Sequence, residues 1–93
     1  MKQKLIDLGL TVEEVNAGEK LGGNTGNLIG RLAGAPDVPS ILLSALLDRV
    51  RNPGAIHPVV NEAEDLIKSD GTSFLAADDV SGLCAVLDGL RRV

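Results

Sequence analysis

Two carboxylates stand side by side at Asp78 and Asp79, inside the stretch FLAADDVSGL. An apolar segment precedes them and a run with helical spacing follows. One aspartate at a helix start explains itself: its oxygen accepts orphan N–H groups and its charge meets the positive end of the helix dipole. The second needs solvent or a cation. A third carboxylate, Asp48, closes the apolar run ILLSALLD. In open α/β sheets, ligands bind where the carboxyl ends of strands meet loops and helix starts. Acidic side chains gathered there could hold a divalent cation. The competing account is structural, with Asp78 or Asp79 as a helix cap and Asp48 as a turn residue. Spacing alone does not separate the two.

Other chemistry-bearing residues give weaker signals. The loop GEKLGGNTGN is glycine-rich, but it lacks the Gly-Lys-Ser/Thr ending of a phosphate-binding loop. A strand pattern follows it, so no helix N-terminus awaits an anion, and a structural turn is the better account. His57 lies between Ile56 and Pro58 with no second His or Cys at ligand spacing, and reads as a loop residue. Cys84 falls on the apolar stripe of the last helix and is expected to be a small buried hydrophobe. Glu62 and Glu64 belong to a charged turn and read as solvated surface.

These residues must be positioned by a short series of elements. Residues 2–9 suit one or two helical turns ending at Gly9. LTVEEVNA reads as an edge-type strand and NLIGRLAG as a further strand, with a loop between them. APDVPS is a turn. ILLSALLD is continuously apolar, as a strand buried on both faces would be. It is expected to be central, flanked by NLIGRL, with TVEEVNA outside. VVNEAEDLIKSDG holds two short extended pieces around a turn. From Asp79 onward, Val80, Leu83, Cys84, Leu87 and Leu90 follow helical spacing, with acidic residues at the start and Arg91 and Arg92 at the end. The expected fold is α/β: a small mixed sheet with the C-terminal helix on one face, in a single domain over residues 1–93.

Composition narrows the function further. The chain has 93 residues, 44% of them hydrophobic, which permits a modest core. Phe74 is the single aromatic residue and the formal charge is −4, so neither base stacking nor phosphate neutralisation favours a nucleic-acid partner. One cysteine permits no internal disulfide. The apolar run from Ile41 to Leu47 is too short to span a bilayer. The N-terminus MKQKLIDLGL is broken by Asp7 and does not read as a signal peptide. A cytoplasmic protein without a membrane partner is expected.

Three stretches, in order, carry a family resemblance. ILLSALLDRVRNPGAIHPVV resembles the "SAHMDTV…PG…I.P.I" segment of the M20 family of zinc metallopeptidases. LIKSDGTSFLAADDVSGLCAVLDGLRR resembles that family's "I.SDGTT.LGADDKAG.AA.LE.L" segment. GGNTGNLIGRLAG is similar to the strand before them, notably in the peptidase T-like branch. The likeness runs from about residue 10 to 93. Ser69-Asp70-Gly71-Thr72 followed by Ala77-Asp78-Asp79, at this distance from Asp48, is its most specific part.

The resemblance implies a peptide-hydrolysing fold with two zinc ions. Asp78 then stands where the family's bridging carboxylate stands. Asp48 stands where the family's aspartate orients a metal-binding histidine, the usual carboxylate–histidine–metal logic. That histidine would be residue 46, and residue 46 is Leu. Arg49 stands for the family's Thr, Ala77 for its Gly and Val80 for its Lys. The family's Glu-Glu pair and remaining ligands lie beyond this segment, so the chain corresponds to an N-terminal part of the catalytic domain. The expectation is a chain that is inactive alone and binds no zinc tightly. Its partners would be a second copy of itself or the remainder of the peptidase. The alternative is a stand-alone, non-enzymatic interaction or oligomerisation domain derived from a peptidase, with Leu46 filling a former metal cavity.

Overall fold

A computed structural model describes residues 1–50 and 54–93. The element order is α1 (Lys2–Asp7), β1 (Thr11–Val15), α2 (Ala17–Lys20), β2 (Asn27–Arg31), β3 (Pro58–Asn61), β4 (Leu66–Ser69) and α3 (Ala77–Arg91). The chain divides into two compact units, Met1–Ile41 and Leu42–Val93. Together they make a small mixed α/β protein with two antiparallel two-stranded sheets and a C-terminal helix.

The first unit is a helix followed by a hairpin. α1 stops because Gly9 takes a left-handed backbone (φ 88°). There the Gly9 N–H donates to the Ile6 carbonyl at 2.8 Å and the Leu10 N–H to the Leu5 carbonyl at 3.1 Å. This pair of bonds is a Schellman closure, which satisfies carbonyls that the helix end would otherwise leave open. The same closure brings Leu5 and Leu10 together over Gly30 of β2, where a side chain would meet both. Leu10 is the one buried hydrophobe among the described residues, at 8% exposure. β1 and β2 pair antiparallel, with Val12 opposite Gly30 and Glu14 opposite Leu28.

The second unit holds the other hairpin and α3. β3 and β4 pair with Pro58 opposite Ser69 and Asn61 opposite Leu66. Their connection, residues 62–65, turns through Asp65 at φ 49°. It is braced by Asn61, whose side-chain carbonyl accepts the Glu64 N–H at 3.2 Å. This is the Asx-type local bonding that favours asparagine at turns. In α3, Leu83, Val86, Leu87 and Leu90 form the half-buried stripe. No described helix is long and apolar enough to cross a membrane.

Several expectations are corrected. ILLSALL is not a central strand: residues 41–50 have no regular secondary structure, and β2 is partnered by β1 instead. Apolar content states that a segment seeks cover, but a strand exists only through a ladder with a specific neighbour. Among the described residues no such neighbour is supplied. Ile41 and Leu42 accordingly stay 84% and 92% exposed. The single sheet becomes two hairpins, each pairing strands adjacent in sequence. The loop GEKLGGNTG begins within the short helix α2, which starts at Ala17. Cys84 is exposed rather than buried. The half-buried stripe of α3 includes Val86 and leaves out Val80 and Cys84, so the expected apolar face is shifted around the helix and Cys84 turns outward.

Candidate functional site

The candidate site lies where the irregular segment 42–50 meets the start of α3. Ala76 precedes the helix in a left-handed conformation (φ 59°, ψ 31°). Asp78 (φ −92°, ψ 108°) and Asp79 (φ −117°, ψ 33°) are themselves non-helical, so regular winding begins at Val80. The peptide bond between the two aspartates is cis. Asp78 is exposed and Asp79 half-buried. The neighbouring carboxylates therefore meet different surroundings.

Asp79 is engaged within the protein. Its Oδ2 accepts the backbone N–H of Leu46 at 3.2 Å. Its carboxylate also occupies the space where a side chain at Gly82 would project. A carboxylate accepting a backbone N–H is a charge-assisted bond, stronger than a neutral one. Below it, the Ser81 hydroxyl donates to the Ala77 carbonyl at 2.6 Å, closing the first turn locally.

Residue 46 and the second aspartate are thus brought together. The contact runs through the backbone of residue 46 and the second carboxylate. Leu46 itself is 56% exposed, so it fills no closed cavity here. Asp48 is exposed at the end of the same segment. A two-zinc centre requires about three protein ligands per metal and an open position. Leu46 has no lone pair, and among the described residues no three His, Cys, Asp or Glu side chains converge. The described residues do not fit such a centre by themselves.

The loop between β4 and α3 carries the Ser69-Asp70-Gly71-Thr72 motif, to which the sequence assigned no chemical role. Asp70 Oδ1 accepts both the hydroxyl of Thr72 at 2.6 Å and its backbone N–H at 2.8 Å. Gly71 turns at φ 90° between them. The Thr72 hydroxyl first, then its N–H, with a further pull from His57, hold the Asp70 carboxyl below the usual aspartate range. His57 reaches this place because Pro58 pairs with Ser69, which sets the preceding and following residues opposite one another. The Asp-Gly-Thr pattern was the available signal, since Asp bonds the backbone two residues on. Nearby, the Ser73 hydroxyl is buried without a hydrogen-bond partner among the described residues.

In the first unit, the glycine-rich loop is closed by an acid. Glu14 Oε1 accepts the Thr25 hydroxyl and the Gly26 N–H, each at 3.3 Å. The Gly26 N–H first, then the Thr25 hydroxyl, with help from Lys2, hold its carboxyl below the usual glutamate range. A loop N–H already donated to a carboxylate is a poor cradle for phosphate, in line with a structural turn.

The chain is 34% identical over 91 residues to the uncharacterized protein YqjE of Bacillus subtilis (strain 168). The match covers 98% of this chain and 24% of YqjE, so the chain spans about a quarter of that relative's length. No family model matches the sequence, and no solved structure does.

Proposed function

We propose that this chain is an N-terminal, metal-site segment of a zinc-dependent M20-type peptidase fold, of the peptidase T-like branch, and that alone it does not hydrolyse peptides. The observation that carries this reading is the hydrogen bond from Leu46 to Asp79. It joins the two stretches whose motifs resemble the family, at the position of the family's histidine and beside Asp78. Asp78 has the right character for a bridging carboxylate: exposed, at a helix start, with its neighbour already engaged. Hydrolysis by bound metal would also need a full ligand set and a general base. Leu46 withholds one ligand, and no glutamate of this chain matches the family's base.

Metal titration and a binding experiment test this together. The purified chain is expected to show no submicromolar zinc isotherm. Binding of roughly millimolar strength at Asp78 and Asp79 fits, because a few carboxylates with waters make a poor site. The chain should also copurify with a YqjE polypeptide lacking the aligned segment. Tight one- or two-site zinc binding by the chain alone would defeat the reading of an incomplete site. Failure to associate with the YqjE remainder would count against the segment reading.

A second reading has its own support. The exposed apolar run from Ile41 to Leu47 suits a stand-alone interaction domain that associates with copies of itself. Self-association that persists when the YqjE remainder is present would favour this domain over the peptidase segment.

A further inference from the structure

The two units differ in what they bury. In the first, Leu10 is buried beside Leu5, over Gly30. In the second, none of the described hydrophobes is buried. Leu42 and Leu47 lie exposed on the irregular segment. On the β3–β4 ladder Val60 stands opposite Ile67, and the two are 65% and 62% exposed. Val59 and Leu66 belong to the other face of that ladder, because side chains alternate along a strand, and both are exposed as well. A two-stranded ladder is marginal in water and gains independent stability by packing against other elements. Exposed apolar surface gathered in this way marks a site of interaction.

We propose that the second unit is a docking surface for the remainder of a YqjE-type chain, which packs apolar side chains on both faces of the β3–β4 ladder and on the 42–47 run. This rests on the reading of the chain as a peptidase segment. Two observations favour this occupant over a second copy. About three quarters of YqjE lies outside the match, so a long polypeptide is at hand. The exposed apolar residues also occupy both faces of one ladder. A two-fold contact between copies uses one patch twice and covers one face. A longer chain can pack on both. The connection through Glu62, Glu64 and Asp65 stays outside the contact, because burying unpaired carboxylates is costly.

The full chain, co-expressed with the YqjE polypeptide lacking the aligned segment, tests this in two ways. The first is amide exchange of the wild-type chain, read by mass spectrometry alone and in the complex. Peptides covering β3 and β4 should exchange about tenfold or more slowly in the complex, as burial of the ladder implies. Those covering β1 and β2 should change by less than about threefold. The second is substitution on the proposed surface. Val60→Glu and Ile67→Glu should each weaken the association about tenfold or more, by burial of an unpaired carboxylate. Leu21→Glu, at an exposed position of the first unit, should leave it within about threefold.

A complex in which β3 and β4 gain no protection overturns the docking surface and leaves the segment reading standing. So does a complex that Leu21→Glu weakens while Val60→Glu and Ile67→Glu do not. Protection of β3 and β4 that rises with the concentration of the chain alone, to the level of the complex, assigns the surface to a second copy and also overturns the proposal. No complex at all overturns the segment reading, and the docking surface falls with it. The two failures are therefore distinguishable.

Discussion

The backbone N–H of Leu46 lies 3.2 Å from Oδ2 of Asp79, joining an irregular apolar segment to the first turn of the C-terminal helix. The side chain of Leu46, meanwhile, is largely in solvent. Backbone position and side-chain identity at residue 46 are therefore separable, and experiments can address each.

Leu46→His should leave the chain without peptidase activity, since one added imidazole supplies neither a general base nor a complete ligand set. The substitution is also expected to change stability by no more than about 0.5 kcal/mol, the usual range for surface positions. A buried Leu46 would have implied a larger loss, from an unpaired polar group. Di- and tripeptide turnover in zinc or cobalt buffer checks the first expectation and thermal melting the second. Turnover abolished by Asp78→Ala would contradict the first, and a melting temperature lowered by many degrees the second.

Glycine-to-alanine changes within α3 should diverge by position. Nothing lies near the place of a side chain at Gly89, so Gly89→Ala should gain about 0.5–1 kcal/mol from helix propensity alone. At Gly82 the Asp79 carboxylate must swing away, and its bond to Leu46 goes with it. That loss should offset most or all of the same gain. Parallel melts followed by circular dichroism compare the two, and equal stabilisation would show that the Asp79 contact contributes little.

Acid should act through Asp70. Its folded-state pKa is lowered, by the Thr72 hydroxyl, the Thr72 N–H and the charge of His57. A lowered folded value means that the unfolded chain takes up the proton first as pH falls. The contribution is thus fully present above the ordinary aspartate value, about pH 4, and is lost as pH drops through the lowered folded value. Melting temperatures of wild type and Asp70→Asn should differ above about pH 4 and converge below it. A gap that widens on acidification would reverse the sign and refute the assignment.

How much was legible in the sequence differs by element. The strand segments, the N-terminal turn with its Gly9 stop and the last helix were readable, because their signals are local: glycine at a left-handed position, alternation in strands, helical spacing; their division into two separate hairpins was not. The run ILLSALL was not, since burial pressure names no partner, and pairing is decided by residues far along the chain. For the site, Leu46, Asp78 and Asp79 were singled out, and the structure joins the first to the third. Which aspartate carries the tie was invisible, because that choice depends on backbone angles at Asp78 and Asp79. Gly82 gave no hint either. Its significance comes from a carboxylate three residues earlier.

If the exposed residues 41–47 serve as an interface between copies, as the second reading has it, the oligomeric state reports it. Static light scattering at micromolar concentration should report a mass above that of one chain, and Leu42→Glu should shift it toward the monomer, since a buried unpaired carboxylate is costly. A monodisperse wild-type monomer would show that this surface tolerates water.

The two ladders carry a kinetic implication. Each pairs strands that follow one another in the chain, β1 with β2 and β3 with β4. Contacts of short sequence separation form early, and a hairpin closes in about 1–10 μs. The bond between Leu46 and Asp79 spans 33 residues and belongs to a later stage. Ordering of the hairpins and assembly of the candidate site should therefore be separate events in time, with the ladders in place before position 46 finds its acceptor.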